Sequence, residues 1–173
     1  MTKTRRHRPA TEEKREGVLD ATEEIMLEEG YAAVSSRSVA QRAGINPPLV
    51  HYYCGSLDDL FVAVLRRRAE GNVDRITGAL DSDQPLRDWW RLAADPRGTA
   101  LFVELMAAAN HRPALREALG DYARTVRATQ VAKLQTLLPQ YGIDPDEISP
   151  ALVAAAIHGL AFAIVSDEAA GYD

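Results

Sequence analysis

A single cysteine, Cys54, is all the thiol this chain of 173 residues carries. That excludes an intrachain disulfide and any zinc site built from several cysteines, and it fits a reducing compartment. There is no glycine-rich phosphate loop and no nucleophile motif. The four histidines, His7, His51, His111 and His158, are scattered without metal-ligand spacing. No metal site, no cofactor and no enzymatic activity are therefore expected. The first residues, Met1 to Arg8, are polar and basic rather than an apolar signal core. The longest apolar run, Ala151 to Val165, is interrupted by His158 and reads as too short to span a bilayer. A cytoplasmic protein without a membrane partner is the expectation.

A surplus of positive charge is missing as well. The formal net charge is -5, which by itself gives no support to nucleic-acid binding. The distribution says more than the sum. Up to Gly55, the basic residues Lys3, Arg5, Arg6, Arg8, Lys14, Arg15, Arg37 and Arg42 are matched in number by Glu12, Glu13, Glu16, Asp20, Glu23, Glu24, Glu28 and Glu29. All of those acids fall between Glu12 and Glu29, so the first ten residues and the segment from Gly30 to Gly55 are purely basic.

Strand patterning is absent too, and everything reads as helix, turn or tail, so the expected class is all-α. The length allows one large domain or two small ones with a real core. Residues 1–10 read as a basic arm, 11–55 as a three-helix unit and 56–173 as a larger helical domain, with a helix over 56–72 connecting the two. Thr11 is a plausible N-cap for a first helix with an apolar stripe of Val18, Ala21, Thr22, Ile25 and Met26, stopped by Gly30. Ser35 caps a short helix that turns Val39, Ala40 and Ala43 inward and ends at Gly44. Asn46 caps the next, with Pro47 and Pro48 in its first turn, where a missing N–H costs nothing. Ser56 and Asp59 form a capping-box pair for a longer helix bearing Leu57, Leu60, Phe61, Val64 and Leu65. Further helices follow between breaks at 81–85, 95–98, 110–113 and 139–150; one is long, from about Pro113 to Leu138. The last, capped by Ser149 with Pro150 at its first position, is apolar nearly all round.

Two short helices joined by Ala43-Gly44-Ile45-Asn46 behind a longer one form a helix-turn-helix arrangement. Glycine supplies the tight turn, Ile45 fills the angle between the helices, and small Ala40 and Ala43 allow close approach. The turn alone fits a three-helix packing unit without DNA equally well. The wider segment, roughly residues 11–68, resembles the DNA-binding domain of the tetracycline-repressor (TetR) family. The resemblance is carried by Gly30-Tyr31, by Val39 through Asn46, by Leu49-Val50-His51-Tyr52-Tyr53-Cys54-Gly55-Ser56 and by Asp58-Asp59-Leu60. The rest of the chain matches that family only as a succession of helices.

The resemblance implies a transcription regulator that binds double-stranded operator DNA as a homodimer, usually a repressor, released by a small-molecule effector. By position it implies phosphate contacts from Ser35 and Arg37 and from His51, which stands where the family often has a tyrosine. Asn46, Pro47, Pro48 and Tyr52 fall on the face of the third helix that enters the major groove. The prolines donate no hydrogen bond and would read only apolar features such as a thymine methyl. Leu57 replaces a common lysine and Cys54 a common buried phenylalanine. Binding then leans on the backbone and on the arm, through Lys3, Arg5, Arg6 and Arg8, for which a solvated tail is the alternative.

The same resemblance makes the C-terminal helices the walls of a ligand cavity, with Trp89, Trp90, Phe102, Met106, Asn110, Tyr122, His158 and Phe162 as lining candidates. Ordinary core is the alternative for each. His158, among Ala155, Ala156, Ile157, Leu160 and Ala161, requires a polar partner if buried. The last helix needs cover on more than one face, from a second subunit or as the central helix of a monomeric bundle. The expected mechanism is that ligand moves the helix beginning at Ser56, with Gly71-Asn72 as a bend, and so changes the spacing of two recognition helices. Readings of other classes are a constitutive DNA-binding protein without a ligand, and a helical protein–protein adaptor, raised by Leu57 and the acidic first helix.

Overall fold

The computed structural model describes residues 7–172, with side chains from Thr11 onward. The described residues are helical and contain no strand, so the fold is all-α. The helices are α1 His7–Glu29, α2 Ser36–Arg42, α3 Pro47–Cys54, α4 Leu57–Ala69, α5 Asn72–Leu80, α6 Pro85–Ala93, α7 Pro96–Ala109, α8 Pro113–Leu137 and α9 Pro150–Ala170. Single 3₁₀ turns lie at Tyr31–Ala33 and Leu138–Tyr141.

The caps explain most of the boundaries. Ser35 and Ser38 form a reciprocal capping box at the start of α2. Ser56 and Asp59 do the same for α4: Asp59 accepts from the Ser56 N–H at 2.9 Å, and the Asp59 N–H donates to Ser56 Oγ at 3.1 Å. Hydrogen bonding to Ser56 holds the Asp59 carboxyl below the usual carboxylate range. The Ser149 hydroxyl caps α9, with Pro150 in its first turn.

Three expectations are corrected. α1 begins at His7, four residues before the proposed Thr11 cap, because a proline in the first helical turn lacks only an N–H that has no intrahelical acceptor. Asn46 occupies the N-cap position of α3, but its side chain makes no capping bond. Pro47 and Pro48 bring no N–H to it, and the Leu49 N–H bonds the Asn46 carbonyl instead. The helix from Ser56 ends at Ala69 rather than at 72, since Gly71 takes φ +71° and starts α5, so this glycine is a break between helices and not a bend within one.

The chain packs as two units. Among the described residues, the first holds those through Arg67 together with Ala100–Leu119, and the second holds Arg68–Thr99 with the residues from Gly120 onward. In the first unit, Val18, Leu19, Ala21, Thr22, Ile25 and Met26 of α1 are all buried, as are Val39 and Ala40 of α2 and Val50 of α3. Each fully buried large aliphatic side chain contributes about 1.5–3 kcal/mol. From α4, Leu60, Phe61, Val64 and Leu65 are buried in the same way. Cys54 closes the end of α3; burial pushes its thiol pKa up, as for a small apolar core residue.

The second unit is built around Trp89, with Ile76, Leu80, Leu134, Leu137, Leu138 and Ala154. α9 is longer than the apolar run 151–165, and by length and composition it is the one described helix able to cross a membrane. Ala154, Ala161 and Val165 nevertheless pack inward, and α9 lies against α6.

Candidate nucleic-acid interface

Gly44 builds the turn between α2 and α3. At φ +65° it lets the Ile45 N–H reach the Ala40 carbonyl at 3.0 Å and the Gly44 N–H reach Gln41 at 3.4 Å, which stops α2 and redirects the chain. With Val50 and Cys54 turned inward, α3 presents Asn46, Pro47, Pro48, His51 and Tyr52 to solvent, and α2 presents Arg37 and Gln41. Tyr52 is 72% exposed and stands edge-on to Tyr53. No acid occurs between Gly30 and Gly55, so this face is basic or neutral throughout.

Ser35 and His51 are not free hydroxyl and free ring. Ser35 Oγ accepts from the Ser38 N–H at 3.1 Å and bonds Ser38 Oγ at 2.9 Å. The hydroxyl that stands open at the start of α2 is Ser36, and it pairs with His51 Nε2 at 2.8 Å. His51 Nδ1 lies 2.9 Å from the Gly55 carbonyl, which can only accept, so Nδ1 carries a hydrogen, and in the neutral ring Nε2 then accepts a hydrogen bond from the Ser36 hydroxyl. Ser36 escaped the sequence reading. Its signal was weak: a serine beside the cap residue, with a histidine fifteen positions on.

Most of the acids that cancelled the basic charge are paired within the unit. Arg42 bonds Glu28 at 2.8 Å and Glu29 at 3.0 Å, with Glu24 at 3.4 Å, and the bond to Glu28 leads in raising its pKa. Arg67 bonds Glu23 at 2.5 Å, Asp20 at 2.8 Å and Glu16 at 3.1 Å. Burial disfavours the charged form of Arg67, but these carboxylates, Glu23 foremost, more than offset it, so the pKa is raised. Six carboxylates of α1 are thus engaged by arginines of α2 and α4. Arg37, unlike Arg42, is left on the outer face of α2. Of the basic arm, Lys3, Arg5 and Arg6 and the side chain of Arg8 lie outside the described residues.

The cavity candidates fall in both units. Phe102, Met106 and Asn110 belong to the first and are exposed. In the second, Trp89 is buried and meets His158 edge-on at 5.6 Å, while Trp90 is half-buried and Phe162 is 51% exposed. His158 has found side-chain and backbone partners. Its Nδ1 donates to the Ala154 carbonyl at 2.9 Å, and Nε2 faces the buried Gln130 amide at 3.4 Å. Tyr122 OH pairs with Asn72 at 2.5 Å, and burial raises the phenol pKa. Of the lining candidates, the structure brings Trp89 and His158 together.

Comparison with known proteins agrees with this geometry. Residues 18–64 match the model of bacterial regulatory proteins of the tetR family, and residues 76–170 match the C-terminal model of BetI-type transcriptional repressors. The HTH-type transcriptional regulator BetI of Rhizobium meliloti is 27% identical over 158 residues, covering 85% of this chain and 75% of that protein. A transcriptional regulator from Rhodococcus sp. Rha1 superposes with a TM-score of 0.73 at 24% identity, over 91% of this chain and 87% of that one. A protein from Saccharomonospora viridis, solved in complex with choline, gives 0.71 at 20% identity, over 90% and 86%. The chain belongs to the TetR family of bacterial transcriptional regulators, with a C-terminal region of the BetI type.

Proposed function

We propose that this regulator is a repressor that binds a pseudo-palindromic operator as a homodimer in the cytoplasm and leaves it when a small molecule binds the C-terminal region. Residues 11–55 are the DNA-binding domain, and 56–173 bind ligand and the second subunit. The observation that carries the reading is the acid-free outer face of α2 and α3, where Arg37, His51 with its partner Ser36, Asn46, Pro47, Pro48 and Tyr52 face outward while six acids of α1, from Glu16 to Glu29, are paired with Arg42 and Arg67.

On that face Ser35, Arg37 and His51 serve the phosphates, Ser35 through the cap that sets the start of α2 and His51 together with Ser36. Asn46, Pro47, Pro48 and Tyr52 enter the groove. Only Asn46 and Tyr52 of these four side chains carry polar groups for base edges, so affinity comes mainly from backbone contacts and specificity from the spacing of two heads.

The dimer reading rests on α9. Leu152, Ala155, Ala156, Gly159, Leu160 and Ala163 recur at helical spacing along an exposed apolar face, with Leu152 at 61% and Leu160 at 59% exposure. Phe162 and Ile164 widen it. A second copy of the same helix covers such a face by two-fold symmetry, and the alanines and glycine admit close approach.

An effector acts by preferring one spacing of the two heads over the other, and the helix beginning at Ser56 is the part that moves. The choline bound to the Saccharomonospora viridis protein makes a small quaternary ammonium compound the first to try. Trp89, Trp90, Tyr122, His158 and Phe162 remain the candidates to touch it in the second unit, and Phe102, Met106 and Asn110 are separate candidates of the first.

The test is a mobility shift with the DNA upstream of the chain's own gene, at low salt, with and without choline. Wild type shifts the fragment, and the Arg37→Ala, His51→Ala double variant loses the shift. No shift by wild type, or an undiminished shift by the double variant, contradicts the reading.

A further inference from the structure

The helix-turn-helix of α2 and α3 is entered through Gly30-Tyr31 and left through Gly55-Ser56, and residues from far along the sequence reach both joints within the first unit. At the entrance, the Tyr31 N–H donates to Glu104 Oε2 of α7 at 2.6 Å. Tyr31 opens a 3₁₀ turn just after α1 has stopped at Gly30, where φ is +83°. Its N–H lies beyond the last α1 bond and takes the glutamate as its acceptor. At the exit, Arg112, in the turn between α7 and α8, forms an ion pair with Asp58 in the first turn of α4. The same guanidinium lies 4.5 Å from the centre of the Phe61 ring, one turn further on. Both charged residues are half-buried, so solvent screens these contacts less than it would on an open surface.

The corner is itself braced. Arg116 of α8 donates to the Ala109 carbonyl at 3.1 Å and the Asn110 carbonyl at 2.9 Å, closing the end of α7. A flexible surface turn would fasten nothing; this one is tied to its own helix end. Glu104 and Arg112 both lie inside the region matched to the BetI-type C-terminal model and outside the region matched to the DNA-binding model. The arrangement is therefore a second attachment of the head, in addition to the covalent one through α4.

We infer that Glu104 and Arg112 are positioning residues for DNA recognition: the α7–α8 corner clamps the helix-turn-helix at both ends and fixes the angle at which α3 is presented. The inference rests on the two-headed operator reading above. A clamp of this kind leaves the contacts of each head unchanged and alters how narrowly the pair of heads tolerates half-site separation.

That distinction supplies the test. Wild type first selects its preferred duplex from random DNA. Inverted repeats of the selected half-site are then made with the centres moved apart in single base-pair steps, and binding is titrated for wild type, Arg112→Ala, Arg112→Lys and Glu104→Ala. Wild type shows a sharp optimum. Arg112→Ala and Glu104→Ala lose about tenfold at that optimum, as expected for a lost charged hydrogen bond, and show a broadened profile. Arg112→Lys restores part of the sharpness, since it keeps the charge toward Asp58 but not the planar group over Phe61.

A structural defect alone lowers binding at every spacing by the same factor and leaves the shape of the profile unchanged. Profiles as sharp as wild type in both alanine variants, whatever their affinity, overturn the inference while leaving the two-headed reading intact. A flat profile in wild type overturns that reading, and the clamp with it.

Discussion

His51 Nε2 lies 2.8 Å from Ser36 Oγ, joining the start of α2 to the last turn of α3, while Nδ1 of the same ring is held by the Gly55 carbonyl. In the neutral ring the hydroxyl hydrogen of Ser36 points at the imidazole, so neither group offers a donor to a phosphate without the other changing partner. The two residues act as one unit. Ser36→Ala and His51→Ala are therefore expected to weaken operator binding by similar factors, and the double variant by little more than either. A double-mutant cycle on binding free energy checks this: the expected coupling exceeds about 0.5 kcal/mol, and simple additivity contradicts it.

Gly55 ends α3 with φ +76°, and a Cβ added there would come within 2.6 Å of Asp59 Oδ2. That oxygen is not free to retreat, because it accepts from both the N–H and the hydroxyl of Ser56. Gly55→Ala adds backbone strain of about 1–3 kcal/mol to the loss of the α4 cap. Thermal unfolding is expected to show a clear fall in Tm. A change within the ordinary scatter of surface substitutions would contradict this account of the α3–α4 joint.

Asp59 gives a pH signature. Its folded pKa lies below the unfolded value because of the bonds from Ser56, so its contribution is complete above the unfolded value of about 3.9 and is lost as pH falls through the folded pKa. Asp59→Asn keeps an acceptor and removes the charge. At neutral pH the variant should melt below wild type, and the gap should close in acid. A gap that is constant with pH would rule out the charged cap as its cause.

Much of this architecture is local and therefore legible in residue order. Ser35, Ser56 and Ser149 announce helix starts because a cap bond spans only two or three residues, and the α1 stripe from Val18 to Met26 shows in its spacing. The start of α1 at His7 was not legible, since Pro9 suits the first turn of a helix as well as the end of a basic arm. Gly71 misled about α4, because whether a glycine bends or breaks a helix depends on its φ. Among the interface residues, the placing of Asn46, Pro47, Pro48, His51 and Tyr52 came from the resemblance to the TetR family, and the structure exposes all five. The Ser36–His51 pair, the bond from Gln130 to His158 and the clamp from Glu104 and Arg112 join distant positions, and such contacts leave no periodic mark.

The exposed α9 face predicts a weakness in assembly. Leu160→Glu places a charge in the middle of the stripe formed by Leu152, Ala156 and Ala163 without touching Ala154, Ala161 or Val165, which pack inward. Light scattering behind size exclusion should report a dimer for wild type and a monomer of unchanged helicity for the variant. A dimer in both would move the interface elsewhere.

Two copies of the α2–α3 head are expected to read DNA together. The most direct test is selection of bound fragments from genomic DNA by the full-length protein, followed by sequencing. One enriched inverted repeat is expected, with half-sites about one helical turn apart, or a multiple of it, and it is lost from the selection made with Arg37→Ala, His51→Ala protein. Fragments no different from the input, or a single unrepeated site, would contradict this expectation.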